Sequence, residues 1–149
     1  MLPELQIPAQ TALDGPLAGE LLLVARLLIG GVLAFMGLNH FLDAENMTGY
    51  AVAKGLPAPR AAVLLSGGTL LFGGIGVAVG FLPTLAAGAL LAFLLVATPT
   101  MHDFWAVPEE QRQAEMINFL KNVGLIGAAA ALLALSAAAW PYALNLRLL

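Results

Sequence analysis

Cysteine is absent from the 149 residues, which removes disulfides, iron–sulfur clusters, thiolate metal sites and thiol catalysis at once. Charge is also scarce. Only 10% of residues are charged, against about a quarter in an ordinary soluble domain. Neither a basic stripe nor basic residues interleaved with aromatics is present, so nucleic acid is not expected as a partner. Residues 1–19 contain no Lys or Arg and hold Pro3, Pro8 and Pro16. The cationic start of a signal peptide is therefore missing, and the first hydrophobic segment is expected to be retained. Any redox role must then rest on a bound cofactor or quinone.

What fills the chain instead is hydrocarbon: 60% hydrophobic residues and a mean hydropathy of +0.91. Residues 61–101, between Arg60 and His102, carry no ionisable side chain and are broken only by Gly80-Phe81-Leu82-Pro83. Each half approaches the roughly 20 apolar residues that cross a bilayer core about 30 Å thick. Residues 20–42, with Arg26 as the one interior charge, and 117–140 complete the set. The sequence predicts an all-α membrane protein, a single transmembrane domain over 1–149. Its architecture is a four-transmembrane-helix antiparallel bundle with short loops, helices at about 20–42, 61–79, 84–102 and 117–140, and an irregular lead over 1–16. Short interfacial helices fit the segments 43–59 and the start of the last loop, where Pro108 precedes Glu109 and Glu110.

Small residues four apart (Gly76 and Gly80, Gly88 and Ala92, Gly124 and Ala128) predict close backbone approach, because lipid offers no hydrophobic drive between helices. Leu27-Leu28-Ile29-Gly30-Gly31 with Gly37 is echoed by Leu70-Leu71-Phe72-Gly73-Gly74 with Gly80 at the same offsets. Either the first two spans are an inverted pair or two Leu- and Gly-rich segments coincide. Lys54, Arg60, Arg112 and Lys121 lie on the side of the two longer loops, 43–59 and 103–116, and Arg147 on the other. The positive-inside rule places the long loops in the cytoplasm and both termini outside.

Arg26 lies some six residues inside the first span, where a charge costs on the order of 2.5–3.5 kcal/mol on insertion scales. At 3.6 residues per turn it shares a stripe with Gly30, Leu33, Gly37 and His40, expected to face the bundle. The alternative is that Arg26 snorkels to the nearer interface and pairs with Glu20. A second polar group gathers at the opposite surface: Asn39 and His40, His102 and Asp103, and Asn118, Lys121 and Asn122. Thr98 and His102 are one turn apart, and Pro99 frees the carbonyl of residue 95 beneath them. Turned inward, these residues form a pocket suited to a quinone head or a small anion. Turned outward, they cap helix ends and meet water. No two of His40, His102 and Asp103 have a diagnostic metal-ligand spacing, so no metal site is named, and a haem on His40 and His102 is disfavoured by their positions near helix ends. Ser66 and Ser136 lack a base, and no catalytic residue is identified. Phe104, Trp105, Trp140 and Tyr142 read as interfacial belt anchors.

The Arg26-Leu-Leu-Ile-Gly-Gly run followed by Gly37-Leu38-Asn39-His40-Phe41, the Gly55-Leu56-Pro57 loop, the Gly-rich second span and Asn118-Phe119-Leu120-Lys121-Asn122-Val123-Gly124-Leu125 together resemble the DoxX family over about residues 20–138. The resemblance implies a small prokaryotic inner-membrane protein, in a family named for a subunit of a thiosulfate:quinone oxidoreductase and with members linked to redox-stress complexes. It implies Arg26, Asn39-His40 and Lys121-Asn122 as the family-like polar positions. One departure stands out, since many relatives carry a glutamate before the second Gly-Gly where this chain has Ser66 and Thr69. The expected function is a quinone-associated accessory subunit of a membrane oxidoreductase or redox-stress complex. A membrane scaffold or assembly subunit is the alternative, and a small-solute or lipid carrier the third. The expected partners are the lipid bilayer and other membrane subunits, or further copies of this chain joined through small-residue faces.

Overall fold

The computed structural model describes residues 13–147. Of the irregular lead expected over 1–16, residues 1–12 lie outside the described residues. Five helices follow: α1 Ala18–Leu42, α2 Ala44–Ala53, α3 Pro59–Val79, α4 Pro83–Met101 and α5 Glu109–Leu135. Four of them, all but α2, are long and apolar enough to cross a membrane. Among the described residues there is no strand, only an isolated bridge between Phe81 and Leu146. The architecture is the expected all-α, four-span membrane bundle, with α2 as the short helix of the first long loop.

Proline and glycine set the corners. Pro59 and Pro83 open α3 and α4, positions where the missing N–H would have had no intrahelical partner. Gly80 ends α3 in the left-handed region at φ 69°, which a residue without Cβ reaches at little cost. Hence α3 and α4 form a tight antiparallel pair with only three residues between them.

The closest pairing is α1 against α3, then α4 on α5 and α3 on α4. A Cβ added to Gly30 would lie 2.5 Å from the carbonyl oxygen of Gly74, and one on Gly74 the same distance from the Ala34 nitrogen. One turn pair further on, a Cβ on Gly67 would lie 2.7 Å from the Cβ of His40. These glycines are the contact, because backbone touching backbone recovers dispersion contacts that lipid cannot supply. The buried residues of α1 are Leu22, Arg26, Gly30, Leu33 and Gly37, the predicted stripe up to His40, which is half-buried. Leu33, Leu70, Val77, Ala87 and Leu90 fill the core, while Leu28, Phe35, Leu65, Phe72 and Val96 point outward, as lipid-facing residues do.

The glycines predicted four apart behave differently. Gly76 meets Ala86 and Gly80 meets Ala143, but Gly88 makes only an ordinary contact with Leu133, and Gly124 has nothing within 4 Å of an added Cβ. The similarity between the first two spans is matched in packing only in part: Gly30 and its match Gly73 are both close-packed, but the other pairs differ. Gly31 faces open space where its match Gly74 touches α1, and Gly37 packs in mid-helix where its match Gly80 is a cap.

The last span is displaced from the expected 117–140. It begins at Glu109 because nothing between Glu109 and Asn122 breaks a helix and Glu, Gln, Arg, Ala and Met favour one. It ends at Leu135. The Ser136 hydroxyl donates to the Leu133 carbonyl, and Pro141 disfavours helical backbone at the residue before it. At 27 residues, α5 is about 40 Å long, so its polar first turns extend beyond the bilayer core.

Candidate functional site

At the surface carrying the long loops, α2, the α4–α5 loop and the start of α5 bring five polar side chains together. The His102 Nδ1–H donates to Glu115 Oε2 at 2.8 Å. The Tyr50 hydroxyl donates to the Met101 carbonyl at 2.9 Å and lies 3.4 Å from Glu115 Oε1. Lys54 donates to Asp103 Oδ1 in an ion pair, and its ammonium sits 5.6 Å from the Tyr50 ring centre. Tyr50 and Lys54 share a face because they are four apart at the end of α2.

The electrostatics follow from those contacts. The hydrogen bond from Lys54 holds the Asp103 carboxyl below the usual range, with the Lys54 charge adding to it. Burial works against the Lys54 ammonium, but the bond to Asp103 and the neighbouring negative charges outweigh it and raise its pKa. Burial, then the Glu115 charge, pushes the Tyr50 hydroxyl up, so it remains a donor at neutral pH. Lys54 and Glu115 are the best shielded of the ionisable members, at 13% and 16% exposure.

Beneath His102, the Thr98 hydroxyl is buried and has no hydrogen-bond partner among the described residues. Pro99 leaves α4 without one backbone donor at this point. The backbone still closes with the His102 N–H donating to the Thr98 carbonyl at 3.1 Å. The layer thus combines a carboxylate–imidazole pair, an ion pair and a buried, unpartnered hydroxyl. Such a set can exchange a proton and offer a donor to an oxygen acceptor. Among the described residues, no three His, Cys, Asp or Glu side chains gather to hold a metal ion.

Of the predicted residues, His102 and Asp103 belong to this network. The His40 Nδ1–H instead donates to Met36 O of its own helix at 2.8 Å. Asn39, Asn118 and Asn122 are half-buried and Lys121 is exposed; none of the four bonds to the network. Sequence reasoning missed Tyr50, Lys54 and Glu115. Glu115 had a visible signal, since it precedes Asn118 by three residues and Asn122 by seven, one stripe of α5.

Arg26 lies at the other end of the bundle and is fully buried. It does not snorkel to Glu20. Its Nη2 donates to the Tyr142 carbonyl at 3.1 Å and its guanidinium carbon stands 5.3 Å from the Trp140 ring centre. Glu20 accepts the Tyr142 hydroxyl at 3.2 Å instead. Trp140, expected at the interface, is itself buried at 1% exposure, its Nε1–H donating to the Leu135 carbonyl. Residues 136–147 form a hatch over this end. Leu144 N–H donates to Val79 O and Leu82 N–H to Leu146 O, and Asn145 exchanges hydrogen bonds with the Trp140 backbone. A cleft of about 440 Å³ reaches Arg147 of the hatch, and a second of about 340 Å³ opens between α3 and α4; Leu82, Leu85 and Ala89 wall both. No polar-layer residue lines either one.

The DoxX family model matches residues 21–103, more than half of the chain and the whole of α2, α3 and α4, together with nearly all of α1. The match takes in Arg26, Tyr50, Lys54, Thr98, His102 and Asp103 and stops short of α5 and the hatch. No curated protein and no solved structure matches the chain significantly.

Proposed function

We propose a function from one premise: the chain belongs to the DoxX family, and is a multi-pass membrane protein. On that premise it serves as a quinone-associated accessory subunit of a membrane oxidoreductase or redox-stress complex in the prokaryotic plasma membrane, with a partner chain carrying the metal or flavin. The observation that carries this reading is the Thr98 hydroxyl, buried at 1% exposure without a partner one turn from the paired His102. A quinone carbonyl is an acceptor for such a donor, and His102 with Glu115 supplies a proton-exchanging pair beside it. The absence of cysteine and the presence of only two histidines argue that the chain does not hold an electron path by itself.

The test is mass spectrometry of lipid-soluble species co-purified in mild detergent with wild type, Thr98→Val and His102→Ala. Quinone retained by wild type and reduced at least about tenfold in both folded variants is expected, consistent with loss of a hydrogen bond to a buried acceptor. Quinone absent from wild type, or equal in all three, defeats the reading.

A second reading, a scaffold or assembly subunit, is favoured by α5. Only Ala129 and Leu132 of that helix are buried, and added Cβ atoms on Gly124 and Gly127 meet nothing within 4 Å. Under this reading Gly124→Ile with Gly127→Ile leaves the melting temperature near wild type and strips co-purifying membrane chains. Unchanged partners would exclude that face.

A further inference from the structure

Arg26 presents an electrostatic imbalance that neither reading uses. It lies eight residues into α1, about 12 Å along the helix axis, and its exposure is 0%. Its neighbours are neutral: one carbonyl of Tyr142, the face of Trp140, and the Gly80 backbone, where an added Cβ would lie 3.4 Å from Nη1. Among the described residues, Nε and Nη1 have no acceptor. Among the described residues, the Lys54–Asp103 ion pair and the His102–Glu115 hydrogen bond both lie at the opposite surface. Glu20, on the same helix, is held by the Tyr142 hydroxyl. A guanidinium in an apolar interior without a counter-charge is far from its electrostatic optimum, and a carbonyl and a π-face offset only part of that.

We propose that Arg26 is the core of a binding site for a small monovalent anion, reached from the membrane surface when the hatch of residues 136–147 lifts. The charge selects one negative charge, and the two free nitrogens provide the donors. Gly80 and Ala143 pack closely beside Nη1, so an occupant enters only as Ala143 moves with the hatch, and a monatomic halide asks for the least displacement. The hatch is irregular backbone held to the helices by the Leu144 and Leu82 amides on the α3–α4 corner, the Tyr142 hydroxyl on Glu20, the Thr84 hydroxyl on Ser136 and the buried Trp140, so lifting Tyr142 and Ala143 away from Arg26 breaks a countable set of contacts. This site is independent of the quinone reading, since it shares no residue with the polar layer.

Trp140, 5.3 Å from the guanidinium, is a built-in reporter. With Trp105, the other of the two tryptophans, replaced by Phe, full-length protein in mild detergent is titrated with iodide against gluconate at constant ionic strength. A tryptophan at 1% exposure is shielded from collisional quenching, so bound iodide is expected to give a saturating curve. The melting temperature should rise with iodide by about 3 °C or more, as ligand linkage requires. Both effects should vanish in Arg26→Gln, and Arg26→Lys should weaken the half-saturation concentration at least about tenfold. Linear or absent quenching with no shift in wild type overturns the proposal, as does a curve unchanged in Arg26→Gln. If Arg26→Gln does not fold, an unchanged half-saturation in Arg26→Lys overturns it equally.

Discussion

Two cations of this chain meet opposite fates, and the difference lies in what stands next to them. Lys54 has Asp103 as a direct partner and Glu115 beyond it, whereas Arg26 has a carbonyl and a ring. The Lys54–Asp103 pair has a definite pH window. Asp103 is held below its ordinary pKa, so its contribution is present above the usual carboxylate range, about pH 4, and is lost as pH falls through the lower folded value. Lys54 is raised, so its contribution is complete below about pH 10 and is lost only as pH rises through the higher folded value. The stability gap between wild type and Asp103→Asn should therefore be flat from pH 5 to pH 9 and close below about pH 4. Thermal melts in detergent across that range check it, and a gap that varies between pH 6 and pH 8 would mean that another titrating group controls the layer. Arg26's inward direction was legible from helical phase, because Gly30, Leu33 and Gly37 share its stripe. Its partners were not, because Trp140 and Tyr142 belong to an irregular segment in which no periodicity relates side-chain direction to sequence.

At the scale of elements, α1 and α3 are held together by glycines whose neighbours in sequence do the opposite. Gly30 and Gly31 are adjacent, yet a Cβ on Gly30 would lie 2.5 Å from Gly74 O and 2.9 Å from the Ala78 nitrogen, while one on Gly31 meets nothing. Backbone atoms cannot rotate away, so Gly30→Ala must separate the helices and is expected to destabilise by about 2 kcal/mol or more. Gly31→Ala relieves a flexible residue in a helix interior and should stabilise by about 0.5–1 kcal/mol. Unfolding in mixed micelles of increasing SDS fraction measures both, and equal effects would refute this account of the contact. The four apolar spans were plain in the sequence because hydrocarbon thickness fixes their length. The ends of α5 were not, since its start is set by an unbroken run of helix formers in polar sequence. Its end coincides with the Ser136 hydroxyl bond to the Leu133 carbonyl, against an alanine-rich run that favours helix, and Pro141 bars helix only further on.

For the whole molecule, the two ends of the bundle are chemically different, and that difference argues for one direction in the membrane. One end carries the paired charges of the polar layer with exposed Arg60, Arg112 and Lys121. The other carries Arg147, whose guanidinium donates to the carbonyls of Ala137 and Ala138 just past α5. The positive-inside rule counts Lys and Arg near span ends and gives little weight to the acids beside them, so the Lys54–Asp103 pair does not weaken the bias. We expect the polar layer to face the cytoplasm and the hatch the outside. The cysteine-free chain makes the experiment direct, because each added thiol is the sole reactive one. Glu110 and Ala139 are exposed at opposite ends. In intact cells a membrane-impermeant maleimide should label Ala139→Cys, and should label Glu110→Cys only after permeabilisation. The reverse pattern would turn the molecule over. A quinone head at Thr98 would then exchange protons with the outside, and the Arg26 site would draw its anion from the cytoplasm, so orientation decides which compartment each end of this bundle serves.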